Sequence, residues 1–161
     1  MRRILLGVAL VSTCLSTAAA AADPPPPLAG APVGVETARR AAAAAVAEAR
    51  KNGWYMAVAV TDPNGDLVFF EKMDGTQIGS IQISIGKSRT AALFRRPTKA
   101  FQDSVASGGE GLRVMTFPGV VAAEGGLPLF AEGKFIGAIG CSGGTSQQDG
   151  VACKAGAETV K

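Results

Sequence analysis

The sequence from Glu124 to Gly144 reads EGGLPLFAEGKFIGAIGCSGG and holds seven of the chain's 21 glycines. Two apolar runs flank the short turn at residues 132–134, a pattern typical of a β-hairpin. A Gly-Gly-Leu-Pro corner leads into this hairpin and a Cys-Ser-Gly-Gly loop leads out of it. Glycines inside strands indicate that another backbone or a flat ligand approaches closely. We therefore interpret the stretch as the central hairpin of the fold, with Gly125 and Gly126 as candidate ligand-contacting residues.

The N-terminus has the pattern of a secretory signal peptide. Arg2 and Arg3 precede an apolar run at residues 4–11, and small residues follow up to Ala22. This pattern predicts a signal peptide over residues 1–22, cleaved near Ala22, and a periplasmic or secreted product. The apolar run is too short to anchor the chain in a bilayer. The alternatives are a twin-arginine signal and a lipoprotein signal at Cys14, and both motifs match less well.

Cleavage would leave a Pro-rich lead-in at residues 23–34 and one domain at residues 35–161. It would also remove Arg2 and Arg3, which contribute two charges to the formal net charge of +3. A nearly neutral domain gives no reason to expect nucleic acid as a partner. We also expect no membrane insertion, because the sequence has no second long apolar span.

Histidine and cysteine usage limits the chemistry. The chain contains no histidine, which excludes a Ser-His-Asp triad and any His-ligated metal or haem. Cys141 and Cys153 are the two cysteines that remain after cleavage, an even number in an oxidising compartment. We predict one disulfide between them. The alternative is a pair of buried thiols that pack as small apolar side chains, and no metal site is expected.

The remaining segments predict an α+β fold. In chain order they are a helix at 35–52, strands at 54–62 and 67–73 joined by an Asn-Gly turn, helices at 79–94 and 97–106, a connector at 112–117, strands at 120–123, 127–131 and 135–141, and a helix at 146–159. The hairpins favour a five-stranded antiparallel sheet packed with about four helices. The order is helix, hairpin, helices, three strands, helix, and it lacks the crossover units of a Rossmann fold.

The densest charge run lies between Lys87 and Lys99, which contains five cations and no acid. One interpretation is a solvated helix face. The other is a site for an anionic ligand group, because arginine binds carboxylates through a bidentate fork. Arg95 and Arg96 are the preferred candidates, since the chain break at Pro97 would present both toward a pocket.

Several short motifs follow one another in an order and spacing that is specific as a set. They are the Ala-rich first helix and the segments 58–65, 73–75, 87–91, 97–98, 118–119, 125–128, 137–143 and 148–149. Together they resemble the GlcG/HbpS-like family of small haem-binding and haem-degradation-associated proteins, over about residues 35–159. The resemblance implies a five-stranded antiparallel sheet flanked by helices and assembly into dimers or larger homo-oligomers.

The chain departs from that family at the positions that matter for iron. A relative's threonine hydroxyl near the Pro-Gly and Gly-Gly segments is replaced here by Val120 and Leu127, so no iron ligand is carried over. Cys141 stands where an aliphatic residue is common. The soft axial candidates that remain, besides an unpaired cysteine, are Met73 and Met115.

The resemblance implies a periplasmic or secreted domain that binds haem, the candidate cofactor, or a similar flat anionic ligand. Phe117, Gly125 and Gly126 would approach the ligand closely, and Arg95 or Arg96 would bind its carboxylates. A first alternative is an enzyme that degrades haem or acts on a small organic acid. Its general-base candidate would be Lys87, which a structural salt bridge explains more simply. A second alternative is an interaction protein that functions as a homo-oligomer through the Gly-rich hairpin.

Overall fold

A computed structural model describes residues 29–161 of the chain. The predicted signal peptide, Cys14 and the run of prolines at 24–27 lie outside the described residues. The elements are α1 (Val35–Lys51), β1 (Ala57–Thr61), β2 (Leu67–Lys72), α2 (Gly79–Phe94), α3 (Thr98–Ala106), a 3₁₀ helix (Gly109–Thr116), β3 (Gly126–Ala131), β4 (Lys134–Ser142) and α4 (Ser146–Ala157). Within these residues no helix is long and apolar enough to cross a membrane.

The strands form one antiparallel sheet in the order β2-β1-β4-β3. Helix α2 packs against β4, β1 and β3, whereas α1 and α4 pack against each other and cover the sheet with a separate core. The fold is therefore α+β with three layers, and β4 lies in its centre. The predicted α+β class and the antiparallel hairpins are confirmed.

The predicted strand count is wrong. The described residues form four strands instead of five, because residues 120–123 do not join the sheet. Within this segment the Val121 amide donates to Thr90 Oγ1 (3.0 Å), and directly after it the Glu124 amide donates to Gln102 Oε1 (2.9 Å). The predicted connector at 112–117 belongs largely to the 3₁₀ helix, which brings the helices to five.

The Ala-rich face of α1 is a packing surface. Five alanines of α1 are fully buried, namely Ala38, Ala41, Ala42, Ala45 and Ala49. Gly156 of α4 lies so close to the Ala41 carbonyl that a Cβ atom there would stand 2.6 Å from it. The small side chains let the two helices approach closely and cover the apolar side of β1 and β4.

Helix α2 contacts the opposite face of the sheet through small polar residues. Its buried residues include Ser84 and Ser88, and a Cβ atom on Gly140 of β4 would overlap the backbone of both. Ser88 Oγ donates to the Ala138 carbonyl (3.0 Å) and lies 2.9 Å from Thr61 Oγ1. These bonds satisfy hydroxyl groups that would otherwise be costly to bury.

We expect Gly140→Ala to lower the free energy of unfolding by about 3 kcal/mol, because the added methyl group would force α2 away from β4. Urea unfolding would measure the loss. Gly79→Ala is the matched control. Gly79 is the first residue of α2, and a Cβ atom there would have no neighbouring atom within 4 Å. Equal stability of the two variants would contradict the close contact between α2 and β4.

Candidate functional site

Most of the sequence-predicted residues fall into two regions of the structure, and Arg95 and Met73 lie outside both. The first region surrounds a buried ion pair between Lys87 of α2 and Asp149 of α4. Lys87 Nζ lies 2.6 Å from Asp149 Oδ2, and the two side chains are only 2% and 4% exposed. Lys87 Nζ also donates to the Cys141 carbonyl at 3.2 Å. The pair therefore joins the helices on opposite faces of the sheet at the end of β4.

Backbone amides complete the environment of Asp149. Its Oδ1 atom accepts the amides of Gly143 and Gly144, each at 3.0 Å. Burial raises the pKa of the Asp149 carboxyl, and the Lys87 ammonium and the two amides oppose that rise. In this arrangement Lys87 is held in a structural ion pair and does not face solvent.

The glycine corner lies directly on this ion pair. A Cβ atom at Gly125, whose φ is +119°, would stand 2.7 Å from Asp149 Cβ and 3.0 Å from Lys87 Nζ. Gly126 donates its amide to Thr98 Oγ1 at 2.8 Å. Both glycines are buried. The structure thus explains them by close packing around Lys87, and their ligand-binding role stays a prediction.

The two cysteines lie beside the same ion pair. Cys141 on β4 and Cys153 on α4 are both fully buried, and their Cα atoms are 5.6 Å apart. That separation is in the normal range for a disulfide. The arrangement suits the predicted bridge, which would link the central strand to the last helix.

The second region is a pocket at the α3 end of the molecule. It is lined by Arg96, Phe101, Ser104, Arg113, Val114 and Phe117, and has a volume of about 130 Å³. We call it the aromatic pocket. Arg96 follows α2, Phe101 and Ser104 belong to α3, and Arg113 and Val114 belong to the 3₁₀ helix. Helix α3 and the 3₁₀ helix pack against each other and so hold the pocket together.

A cluster of phenylalanines gives the pocket its flat surface. The Phe94 and Phe117 rings stack with centroids 6.2 Å apart and planes inclined by 10°. Phe101 meets Phe94 edge to face at 5.1 Å. Phe94 and Phe117 remain 40% and 37% exposed, so ring surface is accessible beside the pocket.

The two preferred arginines have different surroundings. Arg95 ends α2 in the left-handed conformation, with φ at 51°, and its guanidinium lies 5.3 Å from the centre of the Phe135 ring. Arg96 lines the aromatic pocket together with Phe117. The two arginines after α2 therefore lie in separate places. Arg96 lines the aromatic pocket with Phe117, whereas Arg95 does not line it.

The two methionine candidates are also separated. Met73 belongs to the apolar core, where its sulfur accepts the Met56 amide at 3.4 Å. Met115 lies on the 3₁₀ helix next to the pocket residue Val114 and is 69% exposed. Among the methionines of residues 29–161, Met115 is the one with an accessible thioether.

Sequence reasoning missed Arg113 and Phe101, which line the pocket, and Phe94, whose ring packs against Phe101 and Phe117 beside it. Phe101 lies in the predicted helix at 97–106, and Arg113 lies in the segment interpreted as a connector. A 3₁₀ helix has a different period from an α-helix and is short, so it leaves little pattern to recognise. Whether residues 96 and 113 line one pocket depends on how the 3₁₀ helix folds back on α3.

Comparison with known proteins gives one consistent family. A family model described as "Haem degrading protein HbpS-like" matches residues 33–158. Protein GlcG of Escherichia coli strain K12 is 40% identical over 100 residues, which cover 62% of this chain and 73% of that protein.

Solved structures share the fold. A double mutant of Streptomyces reticuli HbpS is 28% identical, with a TM-score of 0.75, over 91% of this chain and 99% of that one. The structure of PduOC in complex with haem has a TM-score of 0.73 at 23% identity and covers 81% of this chain and 96% of that one. At that identity the likeness to PduOC shows the fold alone.

We expect Lys87→Met to lower the free energy of unfolding by about 3–5 kcal/mol, because it leaves the Asp149 carboxylate buried without its partner. The double variant Lys87→Met/Asp149→Asn should recover much of this loss, since no unpaired charge remains. Urea unfolding of each variant measures both effects.

A matched control for this experiment is Lys99→Met. Lys99 forms an exposed ion pair with Asp103 at 2.7 Å, with side chains 51% and 57% exposed. Its removal should cost far less stability than removal of Lys87, because exposed ion pairs contribute little. If Lys87→Met were as mild as Lys99→Met, the Lys87–Asp149 pair would not be a structural centre of the fold.

We predict that Cys141 and Cys153 resist thiol reagents in unfolded, unreduced protein and react after reduction. A bridge over this short loop should stabilise the fold by about 2–4 kcal/mol, so reduction should lower the unfolding midpoint. Peptide mapping of labelled protein distinguishes these cysteines from Cys14. Free thiols at both positions before reduction would show that the bridge is absent.

Proposed function

This chain belongs to the HbpS-like family, and on that basis we propose that it is a small-ligand-binding domain for haem or a similar flat anionic ligand. The description of the family names haem. A protein with the same fold, PduOC, has been solved as a haem complex. These two facts support the ligand class, and the residues of this chain support the place where the ligand binds.

The observation that carries the proposal is the exposed pair of stacked rings beside the aromatic pocket. Phe94 and Phe117 are parallel to within 10° and each keeps more than a third of its surface accessible. Aromatic faces stack favourably on flat conjugated ligands. Two pocket arginines, Arg96 and Arg113, supply positive charge next to this surface. A flat ring with acidic substituents matches both features.

The donor set of the chain limits how haem iron would be held. The sequence has no histidine, both described cysteines are fully buried, and Met115 is the accessible thioether of residues 29–161. Met115 is therefore the candidate iron ligand that the proposal keeps. Bound haem would supply an iron centre with redox chemistry, while the chain's own residues bind the ring face and its acidic groups.

The proposal extends to binding and not to catalysis. Lys87, the candidate general base, is buried in its ion pair with Asp149 and cannot reach a ligand at the surface in this conformation. A general base must come within hydrogen-bond reach of the proton that it removes. The aromatic pocket itself offers cations, apolar walls and a hydroxyl, which are groups suited to binding.

We also propose a cellular location and an oligomeric state for the domain. We propose that the signal peptide directs the domain to the periplasm or the outside of the cell, as the N-terminal pattern of residues 1–22 predicts. We further propose that the domain forms homo-oligomers. Ile78, which is 84% exposed at the start of α2, is an apolar side chain that a second copy would cover.

Titration of purified protein with hemin tests the proposal, and we expect a saturable shift of the haem absorption band at micromolar protein. Phe117→Ala should weaken binding about fivefold to tenfold, because it removes half of the stacked surface. Phe130→Ala is the matched control, since Phe130 is equally exposed, at 36%, but lies on β3 away from the pocket lining. Absence of a saturable shift with the unaltered protein would overturn the proposal.

A further inference from the structure

Two arginines from distant parts of the sequence line the same small cavity. Arg96 lies between α2 and α3, whereas Arg113 comes from the 3₁₀ helix. We propose that Arg96 and Arg113 form a carboxylate clamp, so that a ligand enters the aromatic pocket by its carboxylate-bearing edge while its ring system stays outside against Phe117. This inference rests on the proposed function, and it identifies the chemical group that the site recognises.

The charge of the lining supports a carboxylate. Among the described residues that line the pocket, two are arginines and none is acidic. Guanidinium groups bind carboxylates through two parallel hydrogen bonds, which a single ammonium group cannot match. The pocket therefore favours an anion of planar shape.

The walls of the pocket strengthen that preference. Phe101 and Val114 are each only 6% exposed, so apolar side chains lie against the space where the anion would bind. These walls limit the space to a small group, while Arg96 and Arg113 themselves are exposed at its edge. Ser104 adds a hydroxyl-bearing side chain to the lining.

The size of the pocket determines which part of the ligand can enter. Its volume is about 130 Å³, whereas sites that enclose drug-sized ligands measure about 300–1,000 Å³. A carboxylate arm fits inside this volume, but a macrocycle does not. The ring system must therefore lie across the mouth of the pocket, where Phe117 and Phe94 keep exposed surface.

This geometry predicts that the acidic groups of the ligand decide its affinity. Iron-free protoporphyrin IX should bind within about threefold of hemin if the clamp supplies most of the binding energy. Its dimethyl ester, which keeps the ring but carries no carboxylate, should bind about tenfold more weakly, as expected for the loss of a charge-assisted hydrogen bond. A small dicarboxylate such as succinate should occupy the clamp weakly.

The test compares protoporphyrin IX, its dimethyl ester and succinate by fluorescence and competition titration. Arg113→Gln should weaken binding of the free acid about tenfold and leave binding of the ester unchanged. The variant should then bind the two ligands with similar affinity. Arg113→Lys should keep part of the preference, because it retains the charge but not the bidentate geometry. Arg89→Gln removes an exposed arginine of α2 outside the pocket lining and should leave the affinity for both ligands unchanged. Thermal unfolding confirms that each variant is folded.

The outcomes separate the two proposals. If the unaltered protein binds the acid and the ester equally well, or Arg113→Gln weakens both alike, the clamp is wrong and the proposed function stands. If no porphyrin binds but succinate binds in an Arg113-dependent manner, the clamp stands and the proposed haem-class function is wrong. If none of the three ligands binds, both are wrong.

Discussion

The Lys87–Asp149 ion pair is the interaction on which the structure depends. A charge can be buried only if its partners are all present, and here they come from α2, α4, the end of β4 and the loop after it. Each of these elements is therefore held at a fixed distance from the others. The glycine corner follows from the same requirement, because a side chain at Gly125 would occupy the space of the pair.

The hairpin that is rich in glycine owes its composition to layers packed around it. Gly140 lets the backbone of α2 lie directly on β4, and Gly125 lets the chain cross the ion pair. Serine replaces large apolar residues on the buried face of α2 because only small side chains fit there. The glycines are therefore explained by close helix contact and by the buried ion pair. The exposed ring surface beside the aromatic pocket is formed by Phe94 and Phe117 instead.

Much of the fold could be predicted from the sequence, because its helices and hairpins carry local signals. Helix α2 has the predicted bounds at Gly79–Phe94, but its buried face carries Ser84, Lys87 and Ser88, whereas Ile85 is only partly buried. An apolar pattern cannot reveal a face whose buried residues are hydroxyls and a paired charge. The prediction of a strand at 120–123 was wrong because this segment bonds to α2 through Thr90 and does not join the sheet. Arg113 was missed because the 3₁₀ helix that carries it leaves little pattern in the sequence.

The aromatic pocket is built from the α2–α3 link, α3, the 3₁₀ helix and Phe117, and none of the lining residues belongs to the sheet. The ion pair and the glycine contacts lie elsewhere, on β4, α4 and the middle of α2. Substitutions that reshape the pocket therefore leave the most demanding interactions of the core intact. Such a division lets ligand preference diverge among relatives during evolution while the scaffold is maintained, so a shared fold in this family need not mean a shared ligand.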